Sequence, residues 1–177
     1  YECLEVGWSN ACNTPFREHK MWTHEGGIST PLIVHWPNGN IGSGKITRQN
    51  GHVIDLVPTI MDIVNSSLPV AVEYPGKSLL GTIRSGKTHR RTLFWEHLGN
   101  RAVRRGQWKA VSEYQHAWQL FDMRTDRGEN IELSEYHPAL LKQLISKWDD
   151  WAEASSVVHW ETMRGFHPNY PFEYKRK

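Results

Sequence analysis

The sequence is poor in sulfur and has no long apolar run. Only two cysteines, Cys3 and Cys12, occur among its 177 residues, which excludes a disulfide-stapled scaffold. A single bridge between them is left open. No stretch approaches the roughly 18 consecutive apolar residues of a membrane span. Charge of one sign is also lacking: 21 Lys and Arg stand against 19 Asp and Glu, well short of the basic excess that marks a nucleic-acid binder. A G-x-S-x-G elbow is missing, so a self-contained serine hydrolase of that type is excluded. The chain starts at Tyr1 rather than Met and shows no signal peptide. The expectation is therefore a processed chain or a piece of a longer protein. What is present is globular: 38% hydrophobic and 23% charged residues, enough chain to bury a core. Nine Trp and ten His are the unusual numbers, pointing to an aromatic core or to a surface that stacks on sugars.

Residues 1–30 show no clean period and read as loop with at most a short helical turn. Pro31-Leu-Ile-Val-His-Trp36 is short, apolar and rich in β-branched residues, the pattern of a buried strand. Asn38–Gly44 is turn-rich. Asp55–Val64 reads as a helix, with Asp55 as N-cap, Pro58 in the first turn and Leu56, Val57, Ile60, Met61 and Val64 on one face. Asn65–Pro75 reads as a connection. Beyond it, Arg91–Trp95, Ala102-Val103, Trp108–Val111 and Trp118–Phe121 read as short strands of an antiparallel sheet, with a hairpin turn at Arg104–Gly106 and a polar turn at Asp122–Glu129. Pro138–Ala154 is the strongest helix, carrying an apolar stripe of Leu140, Leu141, Leu144, Ile145, Trp148, Trp151 and Ala152 suited to cover one sheet face. Val157–Lys177 is an aromatic and basic tail. No internal repeat occurs.

Several motifs dissolve on inspection. Gly81-Thr-Ile-Arg-Ser-Gly-Lys-Thr88 matches the P-loop pattern letter for letter, yet no apolar strand precedes it and an apparent strand follows soon after, so it reads as a solvated basic turn. Gly39–Lys45 has Ile46 where Ser or Thr is required. His24-Glu25 is followed by two glycines rather than by the rest of H-E-x-x-H, His19 and His24 are five apart, and Glu96-His97 lacks a third ligand, so no complete metal site is expected from this chain. Asn65-Ser66-Ser67 fits a glycosylation sequon, a triplet common by chance.

The informative stretch is Asn13–Pro37. Arg17, His19, Lys20 and His24 concentrate cationic donors in a glycine-containing loop, an arrangement suited to an anion such as sulfate, phosphate or carboxylate. Its elements are Thr14-Pro-Phe-Arg17, Lys20, Glu25-Gly-Gly27, Pro31-Leu-Ile-Val34 and Trp36-Pro37. These resemble, in order and spacing, the region near the end of the main domain of type I sulfatases of the arylsulfatase family. Later blocks follow the same order. His52–Ile60 is similar to the D-[IL]-x-P-T helix and Gly76–Leu80 to the G-x-S-L loop. Leu93–His97, Asn100–Arg104 and Gly106–Lys109 are similar to the W-E-H…N-x-A-[IV]-R-x-G-x-W-K block. Leu120–Asp126 with Glu129 and Leu133 is similar to the L-[YF]-D-x-x-x-D-x-x-E…N-L block. The resemblance covers about residues 7–153.

The resemblance implies the C-terminal part of an α/β, alkaline-phosphatase-like fold, ending in a small α+β subdomain whose antiparallel sheet packs on a helix. Residues 1–67 would end the main domain, 68–156 would form the subdomain and 157–177 a tail. It implies a sulfuric ester hydrolase acting on aryl or carbohydrate sulfates, with a formylglycine nucleophile and a calcium ion. The C/S-x-P-x-R motif that yields formylglycine is absent here, and the Asp-Asn-Gly metal motif would lie upstream of Tyr1, so the partner expected is the N-terminal catalytic portion of the same protein and the isolated chain is expected to be inactive. Lys20 matches the family lysine that contacts the sulfate. Arg17, His24 and His97 are candidate substrate contacts, and Trp22, Trp95 and Trp118 candidate sugar-stacking residues. An extracytoplasmic location follows family habit. The alternatives are a phosphodiester or phosphonate monoester hydrolase of the same superfamily, a non-catalytic module for sulfated glycans, and, third, a nucleotide-binding protein.

Overall fold

The computed structural model describes residues 5–42, 44–67 and 74–166. In chain order the elements are helices α1 (Val6–Asn13), α2 (Glu25–Ile28), α3 (Leu56–Ile63) and α4 (Leu80–Ser85), strands β1 (Thr92–His97), β2 (Asn100–Arg105), β3 (Trp108–Ser112) and β4 (Gln119–Asp122), and helices α5 (Pro138–Ala154) and α6 (Trp160–Phe166). They form two compact units. One joins residues up to Thr30 with those from Thr92 onward, and the other is Pro31–Arg91.

In the first unit the four strands form an antiparallel meander in sequence order. The register runs His97↔Asn100, Arg105↔Trp108 and Lys109↔Phe121. Side chains alternate between two faces. One face presents Val103, Ala110 and Leu120 to Leu144 and Trp148 of α5, forming the main core. Phe94 stacks on Trp151 with ring centroids 5.2 Å apart, and the Trp148 indole N–H donates to the Trp95 carbonyl at 3.0 Å. Helix α5 spans the residues its periodicity predicts, with Pro138 in the first turn. The other face carries Ala102, Val111, Phe121 and Trp95, together with polar residues considered below.

One sequence expectation fails in this unit. Residues 6–13 form a helix rather than loop. The start of the tail also forms a helix, α6; residues 167–177 lie outside the described residues. Cys12 is an exposed free thiol, and Cys3 lies outside the described residues.

The second unit departs further from expectation. Pro31–Trp36 is not a strand, and Leu32, Ile33 and Val34 are exposed. A strand requires partners for its backbone groups, and no described segment of this unit pairs with it. Helix α3 forms, but Pro58 and Thr59 are its buried residues, while Leu56, Val57 and Ile60 of the expected apolar face are exposed. The Gly81–Thr88 match is mostly helical: α4 occupies its first five residues, where a P-loop needs an open loop of free amides. The expected basic turn is thus replaced by a helix, and the nucleotide reading goes with it.

What holds this unit is Asp55. Its carboxylate is buried and accepts the His52 and Lys77 backbone N–H groups at 2.8 and 2.9 Å. It also accepts both terminal nitrogens of Arg91, one of them at 2.6 Å. Burial pushes this carboxyl upward, but the Arg91 pair and the two backbone donors outweigh it, leaving its pKa below the ordinary 3.8. The unfolded chain therefore binds this proton more tightly than the folded one. The stabilisation is complete above about pH 4 and is lost as pH falls through the lower folded value. Breaking a buried pair from one side costs about 3–5 kcal/mol. Arg91→Met is expected to destabilise the Pro31–Arg91 unit by that amount at pH 7 and to flatten its acid dependence, measurable by hydrogen exchange of the α3 amides across pH.

Candidate functional site

The segment from Arg17 to Ser29 lies on the sheet face opposite α5. Alternation puts Asn100, Ala102 and Arg104 of β2, Lys109 of β3 and His97 of β1 on this face. Asn100, Arg104 and Lys109 contact the segment directly. Glu25, at the start of α2, is buried. Its carboxylate meets Lys109 Nζ at 3.1 Å, Arg104 at 3.6 Å and Arg127 at 3.2 Å. Lys109 Nζ also lies 2.8 Å from Glu129 Oε1. Lys109 and Glu129 are completely buried, so a single ammonium sits between two carboxylates inside the protein.

Burial drives the Glu25 carboxyl upward, and Lys109, Arg104 and Arg127 together more than offset it, holding its pKa below the ordinary value. Glu129 has Lys109 as its cation and Glu25 as a neighbouring anion. Burial dominates there, and its pKa is raised. The cluster therefore keeps Glu25 ionised and spends its cations mainly on that residue.

The loop between Arg17 and Glu25 is closed at its base. The Gly26 N–H donates to the Arg17 carbonyl at 2.9 Å. A Cβ at Gly26 would overlap the carbonyl oxygens of Arg17 and Glu18, and one at Gly27 those of Trp22 and His19. This close approach is why two glycines follow Glu25. Further out, Glu18 and Met21 adopt left-handed φ values of 66° and 91°, uncommon for residues with side chains. Each is pinned by an asparagine: Asn13 donates to the Glu18 carbonyl and Asn100 to the Met21 carbonyl, both at 3.0 Å. Asn100 accepts the Tyr114 N–H in turn, at 3.0 Å, and the Thr23 hydroxyl donates to the Arg101 carbonyl at 3.1 Å. Lys20 stands between the two pinned residues, and its side chain is exposed.

The candidate residues named from sequence divide accordingly. Lys20 is displayed at the loop's outer end. His97 is exposed at the end of β1 and is the strand partner of Asn100, whose side-chain amide donates to the Met21 carbonyl of the Lys20 segment. Arg17 faces inward: its guanidinium donates to the Glu129 carbonyl at 3.2 Å and pairs with Glu113 at 3.8 Å. His24 is fully buried at the N-cap of α2. Of the aromatic candidates, Trp118 packs in the core with α5, Trp95 packs on the opposite sheet face, and Trp22 is half-buried.

Sequence reasoning gave no role to Lys109 or Glu129. A signal was there: Lys109 interrupts the otherwise apolar Trp108–Val111 run, and a lysine inside a buried strand demands a counter-charge. Among the described residues no group of three His, Cys, Asp or Glu side chains is placed to hold a metal ion, and no helix is long and apolar enough to cross a membrane.

The family model described as N-sulphoglucosamine sulphohydrolase, C-terminal, matches residues 17–153, from the closed base of the Lys20 loop to the last turn of α5. An uncharacterized sulfatase of Schizosaccharomyces pombe is 31% identical over 85% of this chain and 30% of its own length. The N-acetylgalactosamine-6-sulfatase of Mus musculus is 34% identical over 67% of this chain and 24% of its own. Among solved structures, Ps i-CgsB superposes with a TM-score of 0.74 at 25% identity, covering 87% of this chain and 36% of that one. The same protein in complex with k-i-k-neocarrahexaose gives a TM-score of 0.71, covering 79% of this chain and 32% of that one. The chain thus spans about a third or less of the relatives it matches.

Proposed function

The chain belongs to the sulfatases, as a C-terminal sulfatase portion, and from that premise we propose that it supplies the sulfate-gripping cation of a sulfuric ester hydrolase, with Lys20 as the residue that binds the sulfate. The observation that carries this reading is the loop itself. An exposed lysine is held between two left-handed residues, each fixed by a side-chain amide, on a segment tied down by buried ion pairs. Such an investment in backbone position suits a contact whose direction matters.

The chemistry follows from charge. Cleavage of a sulfate ester builds negative charge on the sulfuryl and leaving oxygens. A cation already in place stabilises that charge without reorganising as the bond breaks. His97, the strand partner of Asn100, is the proposed second contact, and a half-buried position leaves Trp22 available. Arg17 and His24 serve the site from within, by shaping the loop that carries Lys20. The nucleophile, proposed to be formylglycine, and a calcium ion with its Asp and Asn ligands belong to the rest of the parent protein. This chain's share of the chemistry is the cationic contact. Residues 1–67 are the proposed end of the parent's main domain, 68–156 its C-terminal subdomain and 157–177 a tail. The exposed apolar residues of 31–34 and of α3 suit burial against the rest of that main domain.

The proposed substrate is a sulfated carbohydrate. Support comes from the neocarrahexaose complex of Ps i-CgsB and from the N-acetylgalactosamine-6-sulfatase relative. An extracytoplasmic location is proposed on family habit. The test compares aryl sulfate, sulfated oligosaccharide and phosphodiester hydrolysis by the full-length protein and by this chain alone. Sulfate ester hydrolysis by the full-length protein and none by the isolated chain is the expected result. A preference for phosphodiesters, or turnover by the isolated chain, overturns the reading.

A further inference from the structure

We propose that Glu129 and Lys109 are positioning residues for Lys20: a clamp in the C-terminal sheet that sets the geometry of the sulfate contact. The inference rests on the sulfate-binding reading of Lys20. The clamp reaches both ends of the loop. On the incoming side, the Glu129 carbonyl accepts the Arg17 guanidinium at 3.2 Å. On the outgoing side, the Glu129 carboxylate accepts the Glu25 backbone N–H at 2.7 Å. Lys109 then ties the Glu129 and Glu25 carboxylates together at 2.8 and 3.1 Å. One residue thus holds the entry and the exit of the segment that displays Lys20, while the Gly26 N–H closes the same base onto the Arg17 carbonyl.

The placement is also rigid. Lys109 is a strand residue paired with Arg104 and Phe121 on its two sides. Glu129 lies within a turn that Asp126 closes by accepting the N–H groups of Asn130 and Ile131, both at 2.8 Å. Neither residue is exposed, so neither can touch a substrate, and any effect on turnover must pass through the loop. Displacing a reacting contact by about 1 Å can cost roughly 100-fold in rate.

The experiment uses the full-length enzyme with Glu129→Gln, Lys20→Ala and the double variant. Glutamine keeps an acceptor for the Glu25 N–H and removes the charge that Lys109 holds. Steady-state hydrolysis of an aryl sulfate is read together with hydrogen exchange. For Glu129→Gln the clamp predicts a loss of about 10- to 100-fold, borne by kcat more than by KM. It also predicts faster exchange at the Trp22, Gly26 and Gly27 amides, with the β2 and β3 amides still protected. It further predicts that the double variant is no slower than Lys20→Ala, because residues acting as a unit are non-additive.

If Lys20→Ala is slow and Glu129→Gln turns over normally with a loosened loop, the clamp is wrong and the sulfate contact stands. Losses that multiply in the double variant also overturn it, since Glu129 would then act independently of Lys20. Normal turnover by Lys20→Ala removes both readings. Should Glu129→Gln fail to fold, Arg127→Met tests the Glu25 end of the clamp, because it removes a half-exposed partner of Glu25 and Ser29; faster Gly26 and Gly27 exchange with normal turnover would overturn the clamp.

Discussion

Lys20→Ala in the full-length enzyme is expected to lower kcat by about 100- to 1000-fold on aryl and carbohydrate sulfates, the cost of deleting one preorganised contact to developing negative charge. The folded state should be untouched. The Lys20 side chain is exposed, and the backbone around it is fixed by other residues, Asn13, Thr23 and Asn100. The melting temperature of the variant should therefore match that of the parent while turnover collapses. Lys20→Arg keeps the charge but replaces a compact ammonium by a broad planar fork, so it should recover only part of the loss. Wild-type turnover by Lys20→Ala would show that the loop carries no sulfate contact.

The second large effect is on stability. Lys109→Met removes the ammonium that lies between the buried Glu25 and Glu129 carboxylates, and leaving the Glu129 charge buried without its partner costs about 3–5 kcal/mol. The sign of the coupling is the informative part. Glu25 keeps Arg104 and Arg127 in that variant, so adding Glu129→Gln to Lys109→Met removes the one carboxylate left without its cation, and the double variant should be more stable than Lys109→Met alone. Equilibrium denaturation of this chain, followed by tryptophan fluorescence from the Trp118, Trp148 and Trp151 cluster, measures both. Strictly additive destabilisation would mean that the three groups do not act as one cluster.

The legible part of the fold was the part written in periodicity. Helix α5 and its stripe follow from a 3.6-residue repeat over 17 residues, and the four strands follow from short apolar runs separated by turns. Both patterns are local, and both bury their apolar faces on each other within this chain. Pro31–Trp36 and α3 show the limit. Their apolar residues carry the right pattern, but burial needs a covering surface, and none of the described residues of the Pro31–Arg91 unit provides one for Ile33, Val57 or Ile60. Helix α1 escaped notice because its eight residues contain no apolar period and bury nothing.

The site was half legible. Arg17, His19, Lys20 and His24 stand close together in a glycine-containing loop, an arrangement suited to an anion, and the resemblance to sulfatases singled out Lys20 among them. The clamp was not legible in that way. Glu25, Lys109 and Glu129 come from three distant segments, and only the fold brings them together. The same holds for Asn100, the strand partner of His97, whose contact with Met21 no local pattern announces. Arg17 illustrates the converse: its place in the loop suggested a ligand contact, while the structure turns its guanidinium inward to Glu129 and Glu113.

The most direct test is a crystal structure of the full-length enzyme with a sulfate ester or inorganic sulfate in its active site. The account predicts Lys20 Nζ within hydrogen-bonding reach of a sulfate oxygen, about 2.7–3.2 Å, with the Glu18–Met21 backbone unchanged from that seen here. A sulfate group bound elsewhere, with Lys20 pointing into solvent, would contradict it.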